Sequence, residues 1–349
     1  QYAAKQVLRW NRWDDEDTPS WLMLAAAVEQ DPAITRPWLA ELWRQTWVYP
    51  YPATSLPDLI ATTTQRDGTT GIGSVSYAQR GSSFAQLVDV SHRWVQNGGD
   101  PAFDLMDLRH YGKLARGAMF ALESSVAGGY PMTISDVGGV AAPRLSKASI
   151  TAYADNWRRA WRWTGDARAA WLLDDDVGRG GETNAEWGAL VRAADSFGRD
   201  PFLAQRSRVL ANWAGILEAG QDSDDYRRKR TVYLRVGTGH GHVHDDTLDL
   251  QIVASGLRMA GDLGWRPGYA QPESAETMMH DRVEVDDATH PREGNWLGHS
   301  WIAALAPLDG AQYMEAIAAP PPSHPTAKSY RRDVALIDAG NGSYVVDIQ

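Results

Sequence analysis

Cysteine is absent, so no disulfide framework and no thiolate metal site can hold this chain together, and the redox compartment stays unread. No run on the order of 18 apolar residues occurs, so no stretch reads as a membrane-spanning helix. Positive charge is scarce: 34 Lys and Arg face 44 Asp and Glu, a net charge of −10. That excludes a nucleic-acid binder relying on a global basic field. No strict internal repeat is present. Gln1 opens the chain without a Met or a signal peptide, and Ser343 to Gln349 reads as the middle of a strand. The expectation is a fragment, or a processed chain, cut at both ends. With 349 residues there is still length for two domains and a sizeable core.

What the chain does have is histidine in one place. Four of its nine histidines fall between His240 and His280. The stretch runs His240-Gly-His242-Val-His244-Asp245-Asp246, and Leu248, Leu250, Ile252 and Ala254 then alternate with the period of a half-buried strand. Ser255-Gly256 is turn chemistry, and Leu257, Met259 and Gly261 resume the alternation before Asp262. Imidazole and carboxylate converging from the open end of a hairpin, with His280 entering on the next strand, form a ligand set for zinc or a similar ion. The register resists a simple hairpin. A two-residue turn pairs Ala254 with Leu257 and sets Asp262 opposite Asp249, on the other face from His244. A β-bulge in the hairpin is therefore expected.

From Trp10 to about Glu218 the pattern is helical. Ile150, Tyr153, Trp157, Ala160 and Trp161 form a stripe of helical period ended by Thr164-Gly165. Thr183 to Glu186 is a capping box, and Asp200-Pro201 opens an expected helix burying Phe202, Val209, Leu210, Trp213 and Leu217. Gly-rich loops between such helices suggest an α/α bundle, solenoid or toroid. Near Gln221 to Asp225 the character changes, and many short strands follow: 231–236, the hairpin arms, 282–286, 301–305, 311–318, 332–337 and 344–348. They read as an antiparallel sandwich. The expected fold is α+β, with a helical domain over residues 1–222 and a β-sandwich over 223–349. Most of the 16 Trp belong to the core, with a minority free to stack on sugar rings. Arg227, Arg228, Lys229, Arg230 and Arg235 form either a solvated strand edge or an attractor for an anionic substrate.

Helices followed by a sandwich with His-x-His-x-Asp at a strand start resemble the heparinase II/III-like polysaccharide lyases. His242-Val-His244-Asp-Asp246-Thr-Leu248 is similar to that family's H-x-H-x-D-x-L, Asp262-Leu-Gly264 to its D-x-G, and His280 to Asp286 to its H-N-T-V-x-V-D. Arg331 to Ile337 and Tyr344 to Ile348 are similar to its later strands. In the helical part, Gly73-Ser-Val-Ser-Tyr77 resembles its E-x-S-x-x-Y, and Gly129 to Asp136 its D-G-x-x-P-x-x-G-D. The resemblance implies an incomplete (α/α) toroid plus sandwich. It also implies Tyr77 as acid/base, His242 as the active-site histidine, and His244, Asp262 and His280 as ligands of a structural zinc ion. The site then lies between the two domains, the partner is an anionic polysaccharide, and the location is secreted or periplasmic. The chain departs from the pattern twice. Thr18-Pro-Ser-Trp21-Leu-Met lacks the Asn or His that neutralises the substrate carboxylate, and Asp281 stands where Asn follows the third ligand.

The implied reaction is β-elimination on a uronic-acid polysaccharide. The C5 proton is weakly acidic, so the uronate carboxylate must first lose its charge to donors. A base then takes the proton and an acid protonates the departing oxygen; a tyrosine can serve in both steps. His242 donates to the carboxylate or acts as the second acid/base, with His240 in reserve. Three alternatives remain at this stage: a catalytically inactive carbohydrate-binding protein, a uronate C5-epimerase and a metal-dependent hydrolase. The hydrolase motif H-x-H-x-D-H is broken by Thr247, and its fold alternates strands and helices around the motif.

Overall fold

The structure, a computed structural model, describes residues 28, 31, 33–37, 40, 65–69, 81–135, 142–146, 154–174, 182–211, 213–220, 222–237, 244–262, 280–283, 299–319, 327–339 and 342–349. Helices come first: α1 (Gly81–Gln96), α2 (Leu108–Gly117), the single turn α3 (Phe120–Glu123), α4 (Ala154–Thr164), α5 (Ala167–Leu173) and α6 (Asn184–Phe197). Their ends follow local chemistry. Asp107 and Asp166 cap α2 and α5 by accepting from the backbone two residues on. Thr183 and Glu186 close the expected capping box on α6, which ends at Gly198 with φ of 68°. The stripe on α4 buries Trp157 and Ala160 against α5, α6 and Phe202, while Trp161 stays half-buried.

Two antiparallel sheets follow. The first has five strands in chain order: β3 (Arg208–Leu210), β4 (Ala214–Ala219), β5 (Arg230–Arg235), β6 (Leu250–Ala254) and β7 (Leu257–Ala260). The second, in the order β11-β10-β9-β8, comprises β8 (Ser300–Leu308), β9 (Ala311–Ala318), β10 (Tyr330–Asp338) and β11 (Ser343–Ile348). Leu217, Val232, Leu234 and Leu250 of the first sheet meet Met314, Ala316, Val334 and Leu336 of the second. This is a sandwich core, and β5 to β11 lie where alternation placed them. Of the expected strand 282–286, only residues 282 and 283 are described, in bend and irregular backbone.

The opposite face of the five-stranded sheet packs on the helical part. A short arm, β1 (Ser125–Val126) and β2 (Tyr130–Pro131), leads to Met132, Thr133, Ile134 and Ser135. Phe120, Val126, Met132 and Ile134 bury against Leu210, Trp213, Ile216, Tyr233 and Val253.

The helix expected from Asp200 is not there. Residues 201–204 form a turn, and β3 and β4 take the rest, so the sheet begins upstream of residue 222. The physical reason is two-sided burial. Every residue of β4 is buried, with Ile216 facing the helical part and Leu217 the second sheet. A strand covered on both faces loses the polar alternation that separates strand from helix.

Gly215 of β4 lies where the sheets come close. A Cβ there would sit 2.4 Å from Ile302 Cδ1 and 3.0 Å from Met314 Sδ. Gly215→Ala should therefore cost about 1–3 kcal/mol by overpacking, read as a lower urea midpoint. Ile302→Val, which removes Cδ1, should recover part of that loss in the double variant.

Candidate metal centre

The β6–β7 hairpin sets the geometry. Ser255 and Gly256 both take positive φ, 54° and 73°, and Ala254 pairs with Leu257 across the tight turn. Val253 pairs with Arg258 but Ile252 with Ala260, which leaves Met259 as an extra residue. That is the expected bulge. By shifting the register one residue it carries Asp262 to the side of His244.

His244, Asp262 and His280 are all buried, and each offers a ligand atom within 4.8 Å of the other two. His244 Nδ1 is 3.3 Å and His280 Nδ1 3.8 Å from Asp262 Oδ2, and the two rings stand 5.6 Å apart at 44°. Both ring nitrogens of His280 are buried without a hydrogen-bond partner among the described residues. Burial lowers its pKa, against the pull of Asp262 and Asp246, and so favours the neutral ring, the form that binds a metal. Two buried imidazoles and a carboxylate, set within 4.8 Å of one another, fit a zinc-like cation by donor type.

Charge around the cluster is arranged from both sides. Tyr233, Arg235 and Gln251 point from the first sheet towards the helical part. Arg235 is buried over the Trp213 ring, 5.2 Å from its centroid, with Nε 3.6 Å from Asp246 Oδ1. Burial pulls this guanidinium below its ordinary pKa, while Asp246 and Asp262 hold it up. Asp246 Oδ2 accepts from the Ser135 N–H at 3.0 Å and hydroxyl at 2.8 Å. Asp249 accepts from Gln251 Nε2 and from the Asp281 N–H, each at 2.7 Å. Burial first, then Asp262 and Asp246, push the Asp249 carboxyl well above the carboxylate range.

The segment after the third ligand is stitched in place. Arg332, buried in β10, donates to the carbonyls of Leu248 and Asp281 and forks onto Asp347 at 2.7 and 2.8 Å. Asp281 Oδ1 lies 3.7 Å from Arg332, which gives this carboxylate a local partner where the resembled pattern has Asn. Arg282 Nη1 donates to the Asp245 carbonyl at 2.6 Å.

Tyr77, His242, His240 and the 18–23 segment lie outside the described residues. The basic run divides. Arg235 enters the buried cluster, while Arg227 pairs with Asp225, Lys229 donates to the Leu203 carbonyl and Arg230 faces Asp338. Arg230 opens β5, roughly 16 Å along the strand from Arg235, and Arg227 and Lys229 lie before it, so the run does not converge on the histidines. Sequence reading missed Arg235, Asp249, Gln251 and Ser135 as parts of the cluster. The available signal was polar residues at alternate positions (Tyr233 with Arg235, Asp249 with Gln251) in otherwise apolar strands.

No protein-family profile matches the chain, and no curated protein matches it by sequence. Among solved structures, heparan sulfate lyase HepC from Pedobacter heparinus matches with a TM-score of 0.63 at 12% identity, over 99% of this chain and 47% of the lyase. A heparinase III gene product matches with a TM-score of 0.61 at 13% identity, again over 99% of this chain and 47% of its own. The chain thus has the fold of part of these polysaccharide lyases and spans about half their length; at such identity the likeness concerns the fold alone.

Arg235→Met should test the charge balance. Removing the guanidinium leaves Asp246 and Asp262 without their buried counter-charge, a loss of about 3–5 kcal/mol for a broken buried pair. Urea unfolding at neutral pH measures it, and a change under 1 kcal/mol would mean that Arg235 carries little of the compensation.

Proposed function

We propose that this chain belongs to a polysaccharide lyase that cleaves a uronic-acid-containing polysaccharide by β-elimination. The observation that carries the reading is the buried His244–Asp262–His280 cluster, set where the sheet meets the helical part in a fold shared with heparan sulfate lyase HepC. The helical part is read as an incomplete toroid, and the substrate groove as the cleft between it and the sandwich, secreted or periplasmic in location.

In this reading Tyr77 removes the C5 proton and returns one to the departing glycosidic oxygen. His242, two residues before the first ligand, donates to the uronate carboxylate or shares the proton transfer. His244, Asp262 and His280 hold a zinc ion, whose contribution when bound is a structural cross-link between the 244–249 loop, the hairpin and the 280 segment. The neutral state favoured for His280 supports that role, as do the buried carboxyl groups of Asp246 and Asp262.

One observation favours a second reading. The 18–23 segment has no Asn or His to neutralise the carboxylate, as an inactive carbohydrate-binding protein of the same fold would allow. Incubation with heparan sulfate, chondroitin, hyaluronan, alginate and polygalacturonate separates the two. A lyase releases an unsaturated product whose conjugated carboxylate gives a new short-wavelength ultraviolet band, whereas a binder retains the glycan and releases nothing.

Two variants test the parts. His280→Ala should lose stoichiometric zinc by elemental analysis and lower the thermal midpoint; zinc retained at one equivalent removes His280 from the ligand set. Tyr77→Phe should leave folding intact and substrate affinity nearly constant while turnover falls by roughly 10²-fold or more. Near-normal turnover would instead shift the proton transfer to His242 or His240 and leave 73–77 as a packing segment.

A further inference from the structure

Ser135 ends the arm that the helical part lays on the sheet, and its hydroxyl lies between two groups of the ligand loop. It donates to Asp246 Oδ2 at 2.8 Å and accepts from the His244 N–H at 3.4 Å. Ser135 and Asp246 are fully buried, and Ser135 holds a φ of 55°. A left-handed residue with a Cβ persists only where its surroundings over-determine it, and here three hydrogen bonds do so.

Two residues earlier the same arm reaches, through a chain of hydrogen bonds, the segment that carries the other histidine. The Thr133 N–H donates to the Tyr233 hydroxyl at 3.0 Å, and the Thr133 hydroxyl donates to Gln251 Oε1. Gln251 Nε2 returns a bond to the Thr133 carbonyl and gives another to Asp249 Oδ2. The second oxygen of Asp249 then receives the Asp281 N–H, one residue from His280. Burial pushes the Tyr233 phenol up to about 12, so it keeps its proton and serves as the donor to Gln251. Both histidine-bearing segments are thus tied, each through one buried aspartate, to a single arm of the helical part.

We propose that Ser135 and Thr133 are positioning residues of the metal centre, holding His244 and His280 in ligand geometry from the helical side and so coupling metal binding to the docking of this arm. The proposal rests on the metal reading above. Coupling between two binding events is reciprocal. Whatever factor the arm adds to metal affinity, the metal returns as tighter docking of residues 133–135. The metal then bears on where the helical part meets the sheet, and not only on the loop that carries it.

The test measures zinc affinity of the full chain by competition with a chromogenic chelator, for the wild type, Ser135→Gly, Ser135→Ala and Thr133→Val. Ser135→Gly removes the hydroxyl but suits the positive φ, which offsets part of the lost bond to buried Asp246, so the metal-free thermal midpoint should fall less than in Ser135→Ala. Zinc affinity should nevertheless fall by about 10-fold in both Ser135 variants, at the low end for partners that stand behind metal ligands. Thr133→Val, acting through two intermediaries, should lose less. Zinc should slow amide exchange at residues 133–135 in the wild type, and that protection should vanish in Ser135→Gly. Wild-type zinc uptake with unaltered affinity in the Ser135 variants overturns the proposal and leaves the metal reading standing. A wild type that takes up no zinc overturns both.

Discussion

Three buried aspartates, Asp246, Asp249 and Asp262, set the terms for this part of the molecule. A carboxylate out of water needs counter-charge and hydrogen-bond donors or it stays protonated. Asp246 has Ser135 and Arg235, Asp249 has Gln251 and the Asp281 backbone, and Asp262 lies beside the His244 and His280 rings as their shared neighbour in the ligand set. Those partners come from the arm, from β5 and β6 and from the 280 segment. The need to satisfy three carboxylates therefore draws together pieces of chain far apart in sequence. Burial first, and then the charges of Asp262 and Asp246, raise the pKa of Asp249.

This concentration is possible because the five-stranded sheet is covered on both sides and uses its faces differently. Towards the second sheet it presents Leu217, Val232, Leu234 and Leu250, a dry apolar layer with Gly215 at a close approach. Towards the helical part it presents Ile216, Tyr233 and Val253, with Arg235, Asp249 and Gln251 among them. An apolar face needs only volume and contact. A polar face needs donors and acceptors aligned atom by atom, which makes the helical junction the more demanding of the two interfaces.

Local chemistry was legible where one face of an element meets water or where a cap or turn is self-contained. The capping box at Thr183–Glu186, the helix stop at Gly165 and the four strands of the second sheet follow from patterns inside a few residues. The Ser255-Gly256 turn and its bulge also follow, because a face mismatch between His244 and Asp262 demanded an extra residue. The 200–217 segment did not yield to the same reading. Phe202, Leu210, Trp213 and Leu217 are apolar because two different layers cover them, and their spacing imitates a helix face.

By itself the sequence determined that helices precede an antiparallel sandwich, and that imidazoles and a carboxylate gather around one hairpin. Periodicity, turn residues and the register of a short strand pair are properties of neighbours along the chain, so they are written there. Only the tertiary structure decided that β3 and β4 join the first sheet, that Arg235 leaves its basic neighbours to sit over Trp213, and that Ser135 touches His244 and Asp246 across 109 and 111 residues of chain. Burial on two sides and pairing between remote polar groups depend on which surfaces meet, and no local pattern carries that information.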